Sequence, residues 1–445
     1  MPISKTSPIS APSISELDLP KTLEADKKQL QNVQVPIVTT SASFRSDIAK
    51  NFGEKSLWRD PDIVFSRGHF SMSIALLQEA YELGLSSWLI DPVNYVSKSD
   101  WNKLKAVVFI GQLVAKFPFL KQVKDKTDTL TRGNLPITRA ITKPLLYATA
   151  EDDTPIISVH YETGNILAKT GRTVLQVVTD PQIRPQYLME AGRKNITFAV
   201  FNEETKNEFR QKAKEKEIVL DEDRIVVTGP PVDPRVVRAR KRKNALTFKS
   251  RPLRLAITTG GLGQNSDEIR NCLKSLKDKV KNGQVQLILY ASTLPQFRKE
   301  YDNFAKSVGI NVPARVDDES ASVRVIYSTS VVEANQSLIE HAFAWADGFI
   351  TKPSGDMAYD AIGAGCFVLS LSPWGTWEEN VQKIFSNLSV LKDAKSEHLS
   401  VQLDELISSG WIYAAINNAL KIDKLFLNGA KNIVELQQKL ARNNP

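Results

Sequence analysis

Residues 226–234 read Val-Val-Thr-Gly-Pro-Pro-Val-Asp-Pro, with three prolines inside five positions. Proline has no amide N–H and a fixed φ, so neither a helix interior nor an internal strand can run through this stretch. Whatever the chain builds must end here and start again. On both sides the pattern is the same. Short β-branched runs alternate with amphipathic stretches, the signature of a parallel sheet covered by helices. Before the break the expected strands are 62–66, 87–90, 106–110, 156–160, 173–178, 197–201 and 224–228, with helices over 71–83 and 203–216. After it they are 253–258, 285–290, 323–327, 348–351 and 367–371. At 445 residues the chain has the length of two domains.

The expected order is a flexible tail (1–35, with a short helix near 23–30), a first Rossmann-like domain (36–234) and a basic linker (235–251). A second such domain (252–395) and a set of C-terminal helices (396–445) complete it. The fold class is α/β: two doubly wound parallel-sheet domains facing across a cleft. No run approaches the roughly 20 apolar residues of a spanning helix, and the first residues lack the apolar core of a secretory signal. Two cysteines, Cys272 and Cys366, and four histidines supply too little for a disulfide scaffold or a metal cluster. The expected setting is the cytoplasm. Lys and Arg outnumber Asp and Glu by 58 to 50, a bias that suits an acidic partner: nucleic acid, an anionic membrane or a phosphorylated small molecule. The densest cluster (Arg235, Arg238, Arg240, Lys241, Arg242 and Lys243) has no aromatic residues interleaved, so nucleic acid is not the expected partner.

Two loops of the second half suit phosphate. Thr258 and Thr259 lead into Gly260, Gly261, Leu262 and Gly263, and Asn265 with Glu268 has the spacing of a capping pair, which starts a helix near Ser266. Free N–H groups at a helix amino terminus, with glycines that allow close approach, bind phosphate. A tight strand-to-helix turn needs the same glycines. The second loop follows 348–351: Lys352, Pro353, Ser354 and Gly355 open a short helix that stops at Gly363 and Gly365. Asp356 and Asp360 lie one helical turn apart, and a carboxylate there can accept both hydroxyls of a ribose. An N-capped surface helix with acidic decoration has the same spelling. Asp60-Pro-Asp62 and Asp221-Glu-Asp223 spell an Asp-x-Asp metal pattern, but both precede expected strands, away from the carboxyl-end loops. No metal and no cofactor is expected.

The segment 351–366 resembles the donor-site motif of the GT-B glycosyltransferases, in particular the group that contains MurG and the diacylglycerol glycosyltransferases. Lys352, Ser354, Gly355 and Asp360 match that motif in order and spacing, with Asp where Glu is usual and Ser354 where glycine is common. Trp374 to Asn380 resembles the family's Gly-Gln-Glu-x-x-Asn segment, without the glutamine, which places Glu378, Glu379 and Asn380 near the sugar. In the first half, Ser66-Arg67-Gly68-His69 is similar to the family's Gly-Gly-His loop, and His160 to Asn165 to a later loop that opens with His. Thr179-Asp180 resembles the Thr-Asp turn of the lipid glycosyltransferases, and 226–234 the Val-x-x-Thr-Gly-x-Pro-Val hinge. Together these cover about residues 60 to 385.

The resemblance implies a GT-B enzyme that moves a sugar from a nucleoside diphosphate sugar, a UDP-sugar above all, to a hydroxyl acceptor. Gly260, Gly261, Gly263, Lys352, Ser354, Gly355, Asp360, Glu378, Glu379 and Asn380 would hold the donor. Gly68, His160 and Asn165 would lie on the acceptor side, and His69 or Asp180 would take the acceptor's proton. Helix amino termini can steady the leaving diphosphate without a metal. A lipid or lipid-linked acceptor is one option. The apolar and basic residues of 113–120, Lys121, Lys124, Arg139, Lys143, Leu145, Leu146 and Tyr147 could then rest on the anionic inner face of a membrane, or equally form ordinary core with a charged edge. Two other readings stay open: a GT-B epimerase or hydrolase of nucleotide sugars, and a non-catalytic binder of nucleotide sugar or nucleic acid.

Overall fold

The computed structural model describes residues 19–44, 47, 61–96, 100–101, 136–150, 153–243, 250–260, 263–313 and 315–442. They form two units, one running to Asp233 and resuming at Asn428, the other from Pro234 to Leu427.

The first unit comprises α1 (Leu19–Gln31), β1 (Val35–Val38), α2 (Arg67–Glu82), β2 (Ser87–Ile90), α3 (Pro136–Ala148), β3 (Ile156–Ser158) and α4 (Tyr161–Lys169). Then come β4 (Val174–Val177), β5 (Ile196–Val200), α5 (Glu203–Glu215), β6 (Ile225–Val227) and the chain's last helix, Gly429–Arg442. Its sheet is parallel throughout, in the order β2-β1-β3-β4-β5-β6. β1, β3, β4 and β5 are buried along their whole length, as strands covered on both faces must be. Val174, Ile196, Phe198 and Val200 pack with Leu167, Phe209 and Ala213 of the flanking helices.

Here the structure corrects the sequence reading in three places. The strands begin at Val35, not at residue 62, and β1 lies inside the sheet. Pro36 disguises it, because a proline within a run argues against an internal strand. At that end of the sheet the buried side chain of Gln437, from the last helix, donates to the carbonyls of Gln34 (3.1 Å) and Pro155 (2.8 Å). Residues 62–66 make a single antiparallel bridge, Val64 to Ala42, and the expected strand at 106–110 lies outside the described residues. Nor are residues 19–35 a loose tail. Asp26 is buried in α1, where it accepts from the Tyr95 hydroxyl and the Trp88 indole (3.3 Å). Burial pushes its carboxyl up to about 8 against those two bonds. Finally, 396–445 is not one trailing group. Gly429 approaches the 229–230 turn so closely that a Cβ would lie 2.0 Å from the Pro230 oxygen, and Asn432 donates to the Thr228 carbonyl at 2.7 Å.

The second unit comprises α6 (Pro234–Ala239), β7 (Leu253–Thr258), α7 (Ser266–Lys281), β8 (Val285–Ser292), α8 (Pro295–Ser307), β9 (Val323–Tyr327), α9 (Val331–His341) and β10 (Gly348–Thr351). It continues through α10 (Met357–Gly363), β11 (Phe367–Ser370), α11 (Thr376–Asn387), β12 (Leu391–Asp393), α12 (Leu399–Ser408) and α13 (Trp411–Leu420). This sheet is also parallel throughout, in the order β12-β11-β10-β7-β8-β9. Its core joins Leu255, Ile257, Leu287 and Leu289 to Ile269, Cys272, Phe297 and Tyr301. The basic stretch after Pro234 is not a solvated linker. Arg235 bonds Gln336 (2.7 Å), Arg240 bonds the carbonyls of Gly363 (3.0 Å) and Leu420 (2.7 Å), and Lys243 bonds that of Ala346. Two of these carbonyls close α10 and α13, where helix ends need donors.

In each sheet the first strand has neighbours built in opposite directions: β1 lies between β2 and β3, and β7 between β8 and β10. Open α/β sheets bind ligands beyond the carboxyl ends of their strands at such switch points.

Candidate functional site

At the first switch point the loop after β1 is organised by Asp91, which directly follows β2. One carboxylate oxygen accepts from Ser41 N (2.7 Å), Ser41 Oγ (2.9 Å) and Ala42 N (2.9 Å), the other from Val93 N (3.1 Å). Burial still outweighs these bonds and raises Asp91 to about 6. The Ser41 carbonyl in turn accepts from Phe65 N (2.7 Å) and Ser66 N (2.9 Å), and the Ser66 hydroxyl caps α2 at His69 N (3.5 Å). Asp91 therefore sets the start of α2, and with it Gly68 and His69.

His69 Nε2 lies 3.0 Å from Thr179 Oγ1, and the edge of its ring meets His160 with centroids 4.8 Å apart. His160 follows β3 and caps α4, its Nδ1 accepting from Glu162 N at 3.1 Å. The neutral ring thus carries its proton on Nε2. Burial, then the charges of His69 and Arg184, hold His160 well below the usual histidine range. The buried Tyr187 hydroxyl meets both the amide and the hydroxyl of Thr179 at 3.2 Å, and burial pushes Tyr187 up to about 12. Asp180 pairs with Arg184 at 2.5 Å. Asn165 is buried and donates to the Gln186 carbonyl (2.9 Å), so it braces the 185–188 turn. His69, His160 and the Thr179-Asp180 turn therefore meet. Asp91, Arg184 and Tyr187, which complete the group, carry no motif in the sequence.

At the second switch point Thr258 and Thr351, the last residues of β7 and β10, share a hydrogen bond of 2.7 Å. A Cβ on Gly260 would lie 3.1 Å from Lys352 Cε, so the two loops touch. Gly263 has φ +69 and a Cβ there would lie 3.1 Å from the Phe297 ring; Gly261 lies outside the described residues. The expected Asn265–Glu268 capping box does not form. Asn265 is left-handed (φ 60) and makes no cap bond, because its side chain donates to Ser372 O (3.0 Å) and to Glu268. Glu268 then accepts from Ser372 N (3.1 Å) and Ser372 Oγ (2.8 Å), tying the start of α7 to the loop after β11.

Ser354 Oγ accepts from Met357 N (3.2 Å), the first amide of α10. Gly355, Asp356 and Asp360 are buried around that helix start. Glu378 is buried, pairs with Lys352 and accepts from Trp374 N (2.7 Å), so it positions the lysine and the loop before α11. Glu379, next on α11, is exposed, and Asn380 is half-buried.

The apolar and basic stretch of α3 turns its leucines inward: Leu145 is core, Leu146 packs against it, and Arg139 and Lys143 face solvent. Residues 113–120, Lys121 and Lys124 lie outside the described residues. No helix among the described residues is long and apolar enough to cross a membrane.

The chain matches no protein-family model and no curated protein. Solved structures to which it is similar include UDP-GlcNAc 2-epimerase from Neisseria meningitidis bound to UDP-GlcNAc, at 12% identity and a TM-score of 0.48, covering 91% of this chain and 99% of that one. MurG of Acinetobacter baumannii gives the same identity, score and coverage. A putative UDP-N-acetylglucosamine 2-epimerase from Listeria monocytogenes is 10% identical with a TM-score of 0.49, over 89% of this chain and 94% of that one. Likeness at this level identifies no activity for this chain.

Proposed function

We propose that the protein is a glycosyltransferase of the GT-B kind, moving a sugar from a nucleoside diphosphate sugar, with UDP favoured, to a hydroxyl acceptor. Position is the observation that carries this reading. The residues that resemble the family's motifs gather at the carboxyl-end switch point of each sheet, where ligands bind in such folds.

In the second unit the N–H groups at the starts of α7 and α10 take the diphosphate, and Asp360 takes the ribose hydroxyls. Lys352, held by Glu378, sits beside Gly260, within reach of the same phosphates. Glu379 and Asn380 read the sugar. In the first unit His69 is the base. Asp180, already paired with Arg184, serves to shape the acceptor loop. The acceptor hydroxyl gives its proton to the imidazole as its oxygen bonds to the anomeric carbon. The bond from that carbon to the diphosphate breaks, and the diphosphate leaves with the electron pair, steadied by the helix N–H groups.

The test is a thermal-shift panel of UDP, GDP, dTDP, ADP and their sugar conjugates against the wild type and Asp360→Ala. One nucleotide family should raise the melting temperature, and the variant should lose most of that shift. A panel without any shift would sink the reading. Free sugar released at full rate without an acceptor would turn it into a hydrolase or epimerase.

A further inference from the structure

The opposite end of the second sheet holds a cavity of about 200 Å³ that the glycosyl-transfer reading does not use. Its lining includes Arg242, Lys243, Arg251, Arg254, Trp345 and Asp347. Arg254 is the second residue of β7 and Asp347 immediately precedes β10, so the cavity lies at the amino ends of these strands. Gly260 and Lys352 lie past their carboxyl ends, about 20 Å away along six residues of extended chain.

The charge around this cavity does not balance. Among the described lining residues four cations share one carboxylate, Asp347, which already takes a two-pronged bond from Arg251 at 2.8 Å on each side. Arg254 donates to the Gln286 amide oxygen at 3.3 Å and has one ion pair, to Glu319 at 3.6 Å, which is largely exposed and counts for little. Arg242 is exposed and makes no ion pair or hydrogen bond among the described residues. Burial, then the charge of Arg251, weakens Arg254's hold on its proton, as befits a cation short of counter-charge.

Hydrogen-bond donors are in surplus as well. Trp345 is only 5% exposed, and its indole N–H meets no acceptor among the described residues. Arg254 and Arg324 lie over its ring, 5.2 and 4.3 Å from the centroid. Arg324, buried in β9, bonds the Val316 carbonyl at 2.8 Å, but its Nε and Nη2 meet no acceptor among the described residues. Those buried donors do not open on the cavity, but the cations that line it do, and crowded cations are costly until an anion with several oxygens joins them.

We infer that this cavity is a second anion site, which binds a phosphate-bearing ligand at the amino end of the second sheet. Arg242 and Arg254 supply the forked donors, Lys243 the point charge, and Asp347 fixes Arg251 at the rim. The volume takes one phosphoryl group and the start of what carries it, whether a soluble phosphoester or a lipid headgroup.

The test uses the full chain and two charge reversals. Arg242→Glu changes a lining residue with no structural partner, and Lys277→Glu makes the same change on the exposed face of α7. Binding is followed by calorimetry with inorganic pyrophosphate, and by flotation with phosphatidylcholine vesicles with and without phosphatidic acid. Arg242→Glu should weaken at least one of these by about tenfold or more, and Lys277→Glu should not. Pyrophosphate alone would mark a soluble ligand, and phosphatidic acid vesicles alone a lipid headgroup. Wild-type binding to neither, or equal binding by both variants, would overturn the inference. The nucleotide panel reads the other end of the sheet, so Arg242→Glu should leave its shifts unchanged.

Discussion

His69 and His160 sit edge to face, and their surroundings differ. His160 spends Nδ1 on capping α4 and is kept neutral by burial, so in the proposed mechanism its ring adds no second charge beside His69. Thr179, itself held by Tyr187, fixes the His69 ring. His69→Ala should therefore lower kcat by about 100-fold to 10,000-fold and leave the nucleotide-induced thermal shift in place. Equal losses in turnover and donor affinity would make His69 a binding residue. The sequence showed the two histidines, each opening a helix after a strand or its equivalent. It could not show Arg184 on Asp180 or Glu378 on Lys352, since those pairs depend on which side chain lies opposite once the loops are folded.

Elements tell the same story with sharper limits. β7, β9 and β10 are legible to the residue, because each is a short run dominated by apolar residues, bounded by turn residues and almost wholly buried. β1 is not, because Pro36 lies within it and the helix that supplies Gln437 arrives some 400 residues later. The Asn265–Glu268 pair reads as a capping box and becomes a tie to Ser372, since a side chain follows the better partner when one comes within reach. Packing between elements also sets one substitution. A Cβ on Gly164 of α4 would lie 1.8 Å from Gln176 Oε1 on β4, and that amide is pinned to the carbonyls of Ser158 (3.1 Å) and Val177 (2.8 Å). Gly164→Ala should cost about 1–3 kcal/mol, read as a lower melting temperature in calorimetry with the nucleotide shift retained.

For the whole molecule, buried charge makes stability depend on pH. Asp26 titrates near 4 when unfolded and about 8 when folded, so its contribution is whole below about 4 and is lost as pH rises towards 8. Asp91, raised to about 6, acts in the same direction over a lower window. His160, depressed, costs stability as pH falls below its ordinary value near 6.5. Between pH 6.5 and 8 Asp26 thus stands apart from these two groups. The wild-type melting temperature should fall across that interval and that of Asp26→Asn should stay level; parallel curves would refute this. At this scale the sequence by itself determined two parallel-sheet units, the restart at the prolines and the loops in which the motif residues lie. Those features rest on local period, chain stiffness and residue type, which do not need the fold to be expressed. Only the tertiary structure decided that the last helix closes the first unit, that the basic stretch after Pro234 bonds helix ends, and that four cations line one cavity at the amino end of the second sheet. Each depends on long-range partners, and the sequence does not state which residues will meet.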